Sequence, residues 1–305
     1  MTYIKYVGMK QNISLPFAQQ QRLRFIESIV LWEGAVQRQR VCDVFGVNPN
    51  HVTLDIKAYK KHYPKSLEYN PSVRAYEPGV QFAPKLASGD PAEYLALLHA
   101  YAETHSVAVL PVLGCDGQMV EALPTPSHSV NQAVLRGVVQ ATRHNKGIQV
   151  VYNSMRADKP RPRILWPHAL VHTGLHWHIR AYDDLRNEFR NFAIQRIAKI
   201  EMVEQLSPVT VEQDRDWHEK VLVEVIPNPK LNEYQQGILA KEYGMTNKSC
   251  GWVWSEKIRR CLVGYFAVHF RLDLLENKDA QHTPLVFKDR DTMKQYLFGA
   301  STNIE

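Results

Sequence analysis

The chain has 305 residues, 45% hydrophobic and 22% charged, with 37 Lys and Arg against 31 Asp and Glu and a formal net charge of +6. That length suggests two or three domains at roughly 100–200 residues each, and the composition excludes a disordered chain. The longest apolar runs, Ser28–Trp32 and Val107–Gly114, fall far short of the ~18–20 residues of a membrane span, and Met1–Gln20 lacks the layout of a secretion signal. A soluble cytoplasmic protein with no membrane partner is expected. Cys42, Cys115, Cys250 and Cys261 are scattered and form no C-x-x-C pair, so they are read as reduced, small apolar residues rather than as zinc ligands or a redox motif.

The positive charge is concentrated at one end. Residues 1–85 hold twelve Lys and Arg against six Asp and Glu, so the excess of six there equals the net charge of the whole chain. Such asymmetry points to a polyanionic partner, with a solvated basic face as the plain alternative.

In chain order, Gln19–Trp32 reads as a helix with Leu23, Ile26, Ile29 and Val30 at three- and four-residue spacing, closed by Gly34. A second short helix follows over Val36–Phe45, then Gly46 as a left-handed turn. Asn48-Pro49 opens a third helix, with Asn as N-cap and Pro at the first helical position. On it Val52, Ile56, Tyr59 and Tyr63 share an apolar face, while Asn50, His51, Thr53, Leu54, Lys57 and Lys60 lie off it, and Pro64 ends it. This is a helix-turn-helix pattern whose third helix can enter a major groove. Asn50, His51 and Thr53 are placed for base edges, with Leu54 beside them on the free face. Lys57, Lys60 and Lys61 are placed for phosphates. Leu67–Tyr69, a turn at Asn70-Pro71-Ser72 and Val73–Tyr76 read as the hairpin of a winged helix, with Arg74 on its arm. A three-helix structural domain with a basic surface is the alternative.

Asp90–Glu103 reads as a linking helix, Val107–Leu113 as a strand, Gly114–Gly117 as a turn and Ser127–Lys146 as a helix with Val130, Val134, Val138 and Ala141 on one side. The period then changes. Ile148–Tyr152, Arg163–Trp166, Ala169–His172, Leu175–Tyr182 and Phe189–Ile194 are short β-branched and aromatic runs, which describe a compact antiparallel sheet curling into a small barrel. Arg156, Arg163, His168, His172, His176, His178, Arg180, Arg190 and Arg196 lie in or beside these runs. His176, His178 and Arg180 alternate with Leu175, Trp177 and Ile179, so a cationic face opposes an apolar one. Converging guanidinium and imidazole groups suit a phosphate-bearing ligand. A wet, charged sheet surface is the alternative. A metal site is disfavoured, because His-x-x-x-His on strands does not bring both rings together and no carboxylate completes a ligand set. No nucleophile elbow, P-loop or dinucleotide fingerprint is present, so neither catalysis nor a cofactor is expected.

Val150–Ser154, Trp166–Leu170, Gly174–Tyr182 and Phe189–Ile197 resemble, in order and spacing, the WYL domain of bacterial transcriptional regulators. With the N-terminal winged helix and a C-terminal extension, nearly the whole chain resembles the roughly 300-residue regulators associated with phage-defence systems of the BREX and CBASS types. The tripeptide Trp177-His178-Ile179 departs from the family's Trp-Tyr-Leu by a His at its centre. The resemblance implies an Sm-like bent antiparallel sheet with a ligand pocket around Tyr152, Ser154, His168, His178, Tyr182, Arg190 and Arg196.

After a linker over Ser207–Glu219, Lys220–Ile226 reads as a strand, Asn232–Tyr243 as a helix, and Gly251–Trp254 and Cys261–Leu274 as extended, the last with Leu262, Phe266, Val268, Phe270 and Leu272 on one face. The resemblance implies dimerisation through this part, against a self-contained packing domain. The expected fold is therefore α+β: a winged helix-turn-helix over residues 1–85, a linker helix and strand over 86–126, the WYL domain over 127–206 and a C-terminal α/β dimerisation domain over 207–305. The expected function is a sequence-specific, homodimeric transcriptional repressor of a phage-defence operon. It would read an inverted repeat in double-stranded DNA under control of an anionic nucleotide or oligonucleotide. The competing classes are an Sm-like RNA-binding or nucleic-acid-processing protein and a DNA-binding protein without ligand control.

Overall fold

The computed structural model describes residues 15–104, 120–123, 130–155, 157–249, 251–274, 280 and 282–299. The strand expected over Val107–Leu113, its following turn, Arg156, Cys115 and Cys250 lie outside these residues. The chain divides into two compact units, Met1–Pro124 and Thr125–Glu305.

The first unit opens with α1 (Phe17–Glu33), which buries Leu23, Ile26, Ile29 and Val30 as expected, and Phe25 besides. It ends at Gly34, whose φ of 84° is readily reached only without a Cβ. The second helix begins two residues later than its pattern suggests. Val36 and Gln37 instead form β1 (Val36–Gln37), whose backbone groups are satisfied by Tyr76 and Ala75 across a ladder. Then come α2 (Arg38–Phe45), the left-handed Gly46 and α3 (Pro49–His62). The Asn48 side chain caps α3 by accepting the N–H of His51 at 3.0 Å. α3 buries Val52, Asp55, Ile56 and Tyr59 against α1 and α2. The wing is β2 (Leu67–Asn70) and β3 (Ala75–Pro78), in the sheet order β1-β3-β2. Its turn is longer than expected. Register pairs Asn70 with Ala75, so Arg74 sits in the turn at φ 50° rather than on a strand arm. α4 (Pro91–Thr104) is the last described helix of the unit, with Tyr94 stacked on Trp32 of α1 at 5.3 Å between centroids.

The way the chain leaves the winged helix is fixed by one buried carboxylate. Glu27, 0% exposed, accepts the backbone N–H groups of Lys85, Leu86 and Ala87 at 2.6–3.0 Å and the Tyr59 hydroxyl at 2.5 Å. Burying a charge is tolerable only with this kind of complete satisfaction. The result ties α1, α3 and the exit segment together.

The second unit starts with α5 (Gln132–His144). It begins later than Ser127 because Asn131 caps it, accepting from Ala133 and Val134. Val134, Val138 and Ala141 pack on a five-stranded sheet of order β7-β6-β5-β4-β8. Its strands are β4 (Lys146–Tyr152), β5 (Arg161–His172), β6 (Trp177–Asp183), β7 (Glu188–Ala193) and β8 (Ile197–Leu206). Two runs expected as separate strands are one. β5 continues through a register shift between Pro167 and Ala169, where proline cannot donate to the ladder. β8, which has no counterpart in the expected strands, pairs with β4 and lets the sheet bend around α5.

The expected linker after the sheet is ordered. A 3-10 turn over Val211–Gln213 leads into α6 (Arg215–His218). The remainder is β9 (Lys220–Pro227), α7 (Glu233–Glu242), β10 (Thr246–Lys248), β11 (Gly251–Arg259), α8 (Val263–His269), β12 (Leu285–Phe287) and α9 (Arg290–Lys294), with sheet order β10-β11-β9-β12. The long strand expected over Cys261–Leu274 is not formed. Val263 and Ala267 are buried one helical turn apart, and the Phe266 and Phe270 rings meet at 4.7 Å, so the apolar residues follow a helical period that also mimics alternation. Among the described residues, no helix is long and apolar enough to cross a membrane.

Candidate nucleic-acid interface and ligand site

In the first unit, the outward stripe of α3 consists of Asn50, Leu54, Lys57 and Lys61, spaced at i, i+4, i+7 and i+11 and all exposed. Leu54 is 60% exposed, an apolar side chain in the middle of a polar stripe. His51 is exposed on one flank, and Thr53 and Lys60 are half-buried on the other. Arg74 is exposed in the wing turn. α3 is locked to α1 by a fork in which Arg22 donates Nε and Nη2 to Asp55 at 2.6 and 3.2 Å. The stripe is therefore carried on a rigid element, as a reading surface requires.

Thr53 is not placed as expected. Its hydroxyl donates to the Pro49 carbonyl at 2.9 Å and accepts from Arg38 Nη1 at 3.0 Å. Arg38, the first residue of α2, belongs to this surface, although the residue pattern assigned it no role. The one available signal was its place at the start of the second helix.

In the second unit the seven residues expected around a pocket fall into separate groups: Tyr152, His178 and Arg196 are neighbours, and His168 and Tyr182 meet on the Phe189 ring. Tyr152 is core. Its ring meets Phe192 edge-on at 5.2 Å, its oxygen accepts the N–H of Ala193 at 3.2 Å, and burial pushes its phenol up against the opposing pull of nearby Arg196. Arg196 lies in the 3-10 turn between β7 and β8, and its carbonyl accepts the N–H of Asn153 at 2.9 Å. Ser154 is half-buried just past β4. His178 is 7% exposed with its ring 5.0 Å from that of Tyr265, and burial pushes its pKa down to about 4. Tyr182 and His168 both meet the Phe189 ring edge-on, at 5.2 and 5.8 Å. Arg190 is buried, with Glu188 at 3.4 Å.

The expected cationic face is not an open surface. Arg180 donates Nε and Nη2 to Asp214, both at 2.7 Å, and His168 Nε2 lies 2.9 Å from the same carboxylate. Asp214 also caps α6 by accepting the N–H of Trp217. Burial pushes the Asp214 carboxyl up, but the Arg180 and His168 hydrogen bonds outweigh it and hold the pKa at about 2. Arg163 is likewise committed, to buried Asp183. The alternation along β6 is partly inverted. Leu175 and Trp177 are exposed, while His178 and Arg180 are covered by the C-terminal extension.

A cleft of about 370 Å³ remains open along this seam. Phe189 and Arg190 of β7 form one wall, and Arg215, Arg260, Tyr265 and Tyr296 of the extension form the other. Its size is that of a small-ligand site, at ~300–1,000 Å³. Four arginines line it against Glu188, Asp214 and Asp216. Arg260 is held by Asp216 and Glu219 and lies over the Tyr296 ring at 5.4 Å. Of the seven expected residues only Arg190 borders the cleft. Tyr182 and His168 support the Phe189 wall from behind.

Comparison with known proteins gives the lineage. Residues 18–100 match the BrxR transcriptional regulator winged helix-turn-helix domain, residues 133–202 the WYL domain, and residues 220–293 the BrxR transcriptional regulator C-terminal dimerization domain. The DNA-binding transcriptional repressor CapW of Pseudomonas aeruginosa is 30% identical over 284 residues, covering 92% of each chain. The chain belongs to the CapW family. The CapW repressors of Stenotrophomonas maltophilia and Escherichia coli strain KTE188 are 27% and 29% identical, each over 92% of this chain and 93% and 92% of their own. Along this chain the winged-helix match runs from α1 into α4, the WYL match takes in α5 and β4 to β7 with most of β8, and the dimerization match spans β9 to α9. Trp177-His178-Ile179, the tripeptide expected at the family's Trp-Tyr-Leu position, lies within the WYL match at the start of β6, with His178 turned into the seam.

Proposed function

We propose that this chain is a homodimeric, DNA-binding transcriptional repressor, controlling a phage-defence operon through an inverted repeat. Domains over 1–85, 127–206 and 207–305, joined by 86–126, would read DNA, sense a ligand and dimerise. The observation that carries the reading is the exposed α3 stripe of Asn50, Leu54, Lys57 and Lys61, rigidly mounted beside a wing that exposes Arg74. Asn50 and His51 contact base edges, Leu54 a thymine methyl, and Lys57, Lys60, Lys61 and Arg74 phosphates, following the division of labour between specifying and positioning contacts. Two copies meeting through the C-terminal domain would present two such helices to a two-fold operator.

The ligand is an anionic nucleotide or oligonucleotide. The seam cleft supports this reading, since a phosphate group there would meet Arg190 from the sheet and Arg215 and Arg260 from the extension. Binding at a seam can bias the relation between sheet and extension, which is what ligand control of DNA affinity requires.

The test is binding of purified protein to duplex DNA from upstream of its own gene, against scrambled competitor, at several salt concentrations. The parent should prefer the promoter fragment. Lys57→Ala with Lys61→Ala should weaken binding to all duplexes and lower the salt slope by about 2. No preference for any promoter fragment refutes the reading.

A further inference from the structure

We propose that Arg38 is a DNA-contacting residue and that Thr53 is its positioning residue; the inference rests on the DNA-reading role of α3. Five arginines lie in residues 1–85. Arg22 is neutralised by Asp55, Arg40 is paired with Glu33, and Arg24 donates Nε to the Leu86 carbonyl. Arg74 is exposed in the wing turn. Among the described contacts of these five, Arg38 is the one held by an uncharged side chain, on α3. Among the described residues no carboxylate pairs with it, and its one hydrogen-bond partner is the uncharged Thr53 hydroxyl.

The geometry of that bond decides what Arg38 can do. Thr53 takes Nη1, on one side of the guanidinium. The Nε and Nη2 donors, parallel on the opposite edge, remain. Arg22 and Arg180 use this same Nε/Nη2 edge to grip Asp55 and Asp214 in this protein. A guanidinium held at Nη1 thus offers a preformed two-donor fork without spending rotamer entropy at the moment of binding.

The position of Arg38 aims that fork at DNA. Thr53 lies on the first turns of α3, between Asn50 and Lys57. The preceding residue, Gln37, reaches the other way, its side-chain amide 3.5 Å from the Val73 carbonyl in the wing turn. Arg38 therefore sits between the wing and the leading end of the recognition helix. The Thr53 hydroxyl, with its proton on Pro49 and its lone pair on Arg38, does not itself read a base. The acceptor pair that suits the fork is either O6 and N7 of guanine or two oxygens of a phosphate.

The experiment measures binding of the full-length protein to the upstream duplex at several salt concentrations, together with selection from a randomised-site pool. Arg38→Ala should lose about 5–150-fold in affinity, and Arg38→Lys should not restore it, because an ammonium has no fork. Loss of a guanine preference at one position with the salt slope unchanged assigns the fork to a base. A uniform loss with a slope lower by about 1 assigns it to a phosphate, and either result supports the proposal. Thr53→Val should weaken binding in the parent but add nothing to Arg38→Ala, while Thr53→Ser, which keeps the hydroxyl, should stay near the parent. The DNA role is overturned if folded Arg38→Ala and Arg38→Gln both match the parent in affinity, slope and preference while Lys57→Ala weakens binding. The positioning role is overturned if Thr53→Val costs the same in both backgrounds. Should Lys57→Ala also leave binding unchanged, the role of α3 fails instead, and the two failures are distinguishable.

Discussion

Asp214→Asn is the substitution whose cost the structure specifies most fully. The carboxylate is 1% exposed and holds the guanidinium of Arg180, itself 4% exposed, through two 2.7 Å bonds, while accepting from Trp217 and contacting His168. Removing one charge of a buried pair strands the other, at about 3–5 kcal/mol. An asparagine oxygen can still accept one bond from Arg180, which places the expectation near the lower limit, at about 3 kcal/mol. The titration gives an independent figure. A carboxyl held at about 2 rather than 3.8 contributes roughly 2 kcal/mol, at about 1.4 kcal/mol per decade. Because the folded-state pKa is the lower one, this stability is fully present above pH 4 and is lost as the pH falls toward 2. Urea unfolding followed by tryptophan emission measures both effects, and Trp217 on α6 adjoins the clamp. The variant should unfold about 3 kcal/mol more easily at pH 7 and lose less stability between pH 4 and 2 than the parent. Adding Arg180→Met should recover at least ~1 kcal/mol relative to the sum of the single costs, since it removes the stranded charge. A single-variant cost below ~1 kcal/mol, or simple additivity, would refute the clamp.

The remaining expectations concern two other buried groups. His178, held at a pKa of about 4 chiefly by burial, should show no imidazole titration by NMR between pH 8 and 5. Its contribution is intact above pH 6.5 and is lost, to roughly 3 kcal/mol, as the pH falls toward 4; His178→Tyr should flatten that limb of the stability curve, and an unchanged limb would contradict the assignment. Glu27→Gln places an NH2 group against the backbone N–H donors of residues 85–87, at about 3 kcal/mol to the first unit. Hydrogen exchange at Leu86 and Ala87 should then accelerate markedly while the α5 amides keep their protection, and equal rates in parent and variant would show that the nest holds nothing.

The winged helix was legible because its signals are local. Asn48 caps α3, Pro49 starts it, and Gly34 and Gly46 turn the chain, each through its own backbone or the side chain next to it. The apolar spacings of α1 and α3 also report directly on one packed core. Arg38 and Glu27 were not legible, because their roles depend on partners 15 and 58–60 residues away. The helix α8 was misread for a different reason. Phe266 and Phe270 are four apart, which satisfies a period of two and a period of 3.6 equally, and the burial of Val263 and Ala267, at odd positions off the period-two face, separates the two.

The same limit explains the central sheet. A row of His and Arg alternating with apolar residues is the pattern of a strand with one wet face, and equally the pattern of a strand whose second face is covered by polar partners. What decides between them is whether acids elsewhere in the chain reach the cations. Asp214 lies 34 residues from Arg180 and 46 from His168, in a stretch whose Thr-Val-Glu-Gln-Asp order reads as a linker. Once Asp214 is seated, Arg180 and His168 become structural, and the arginines that line the cleft beside Arg180 are Arg190 at the edge strand, paired with Glu188, and Arg215 and Arg260 beyond it, the last paired with Asp216 and Glu219. The seam is then both the adhesive between sheet and extension and the margin of the cleft, since Arg180 and Asp214 belong to both. An anion entering that margin competes with Asp214, Asp216 and Glu188 for the same guanidinium groups. Under the proposed ligand reading, occupancy of the cleft and the grip of the sheet on the C-terminal extension would be coupled through these shared charges, with no further moving part required.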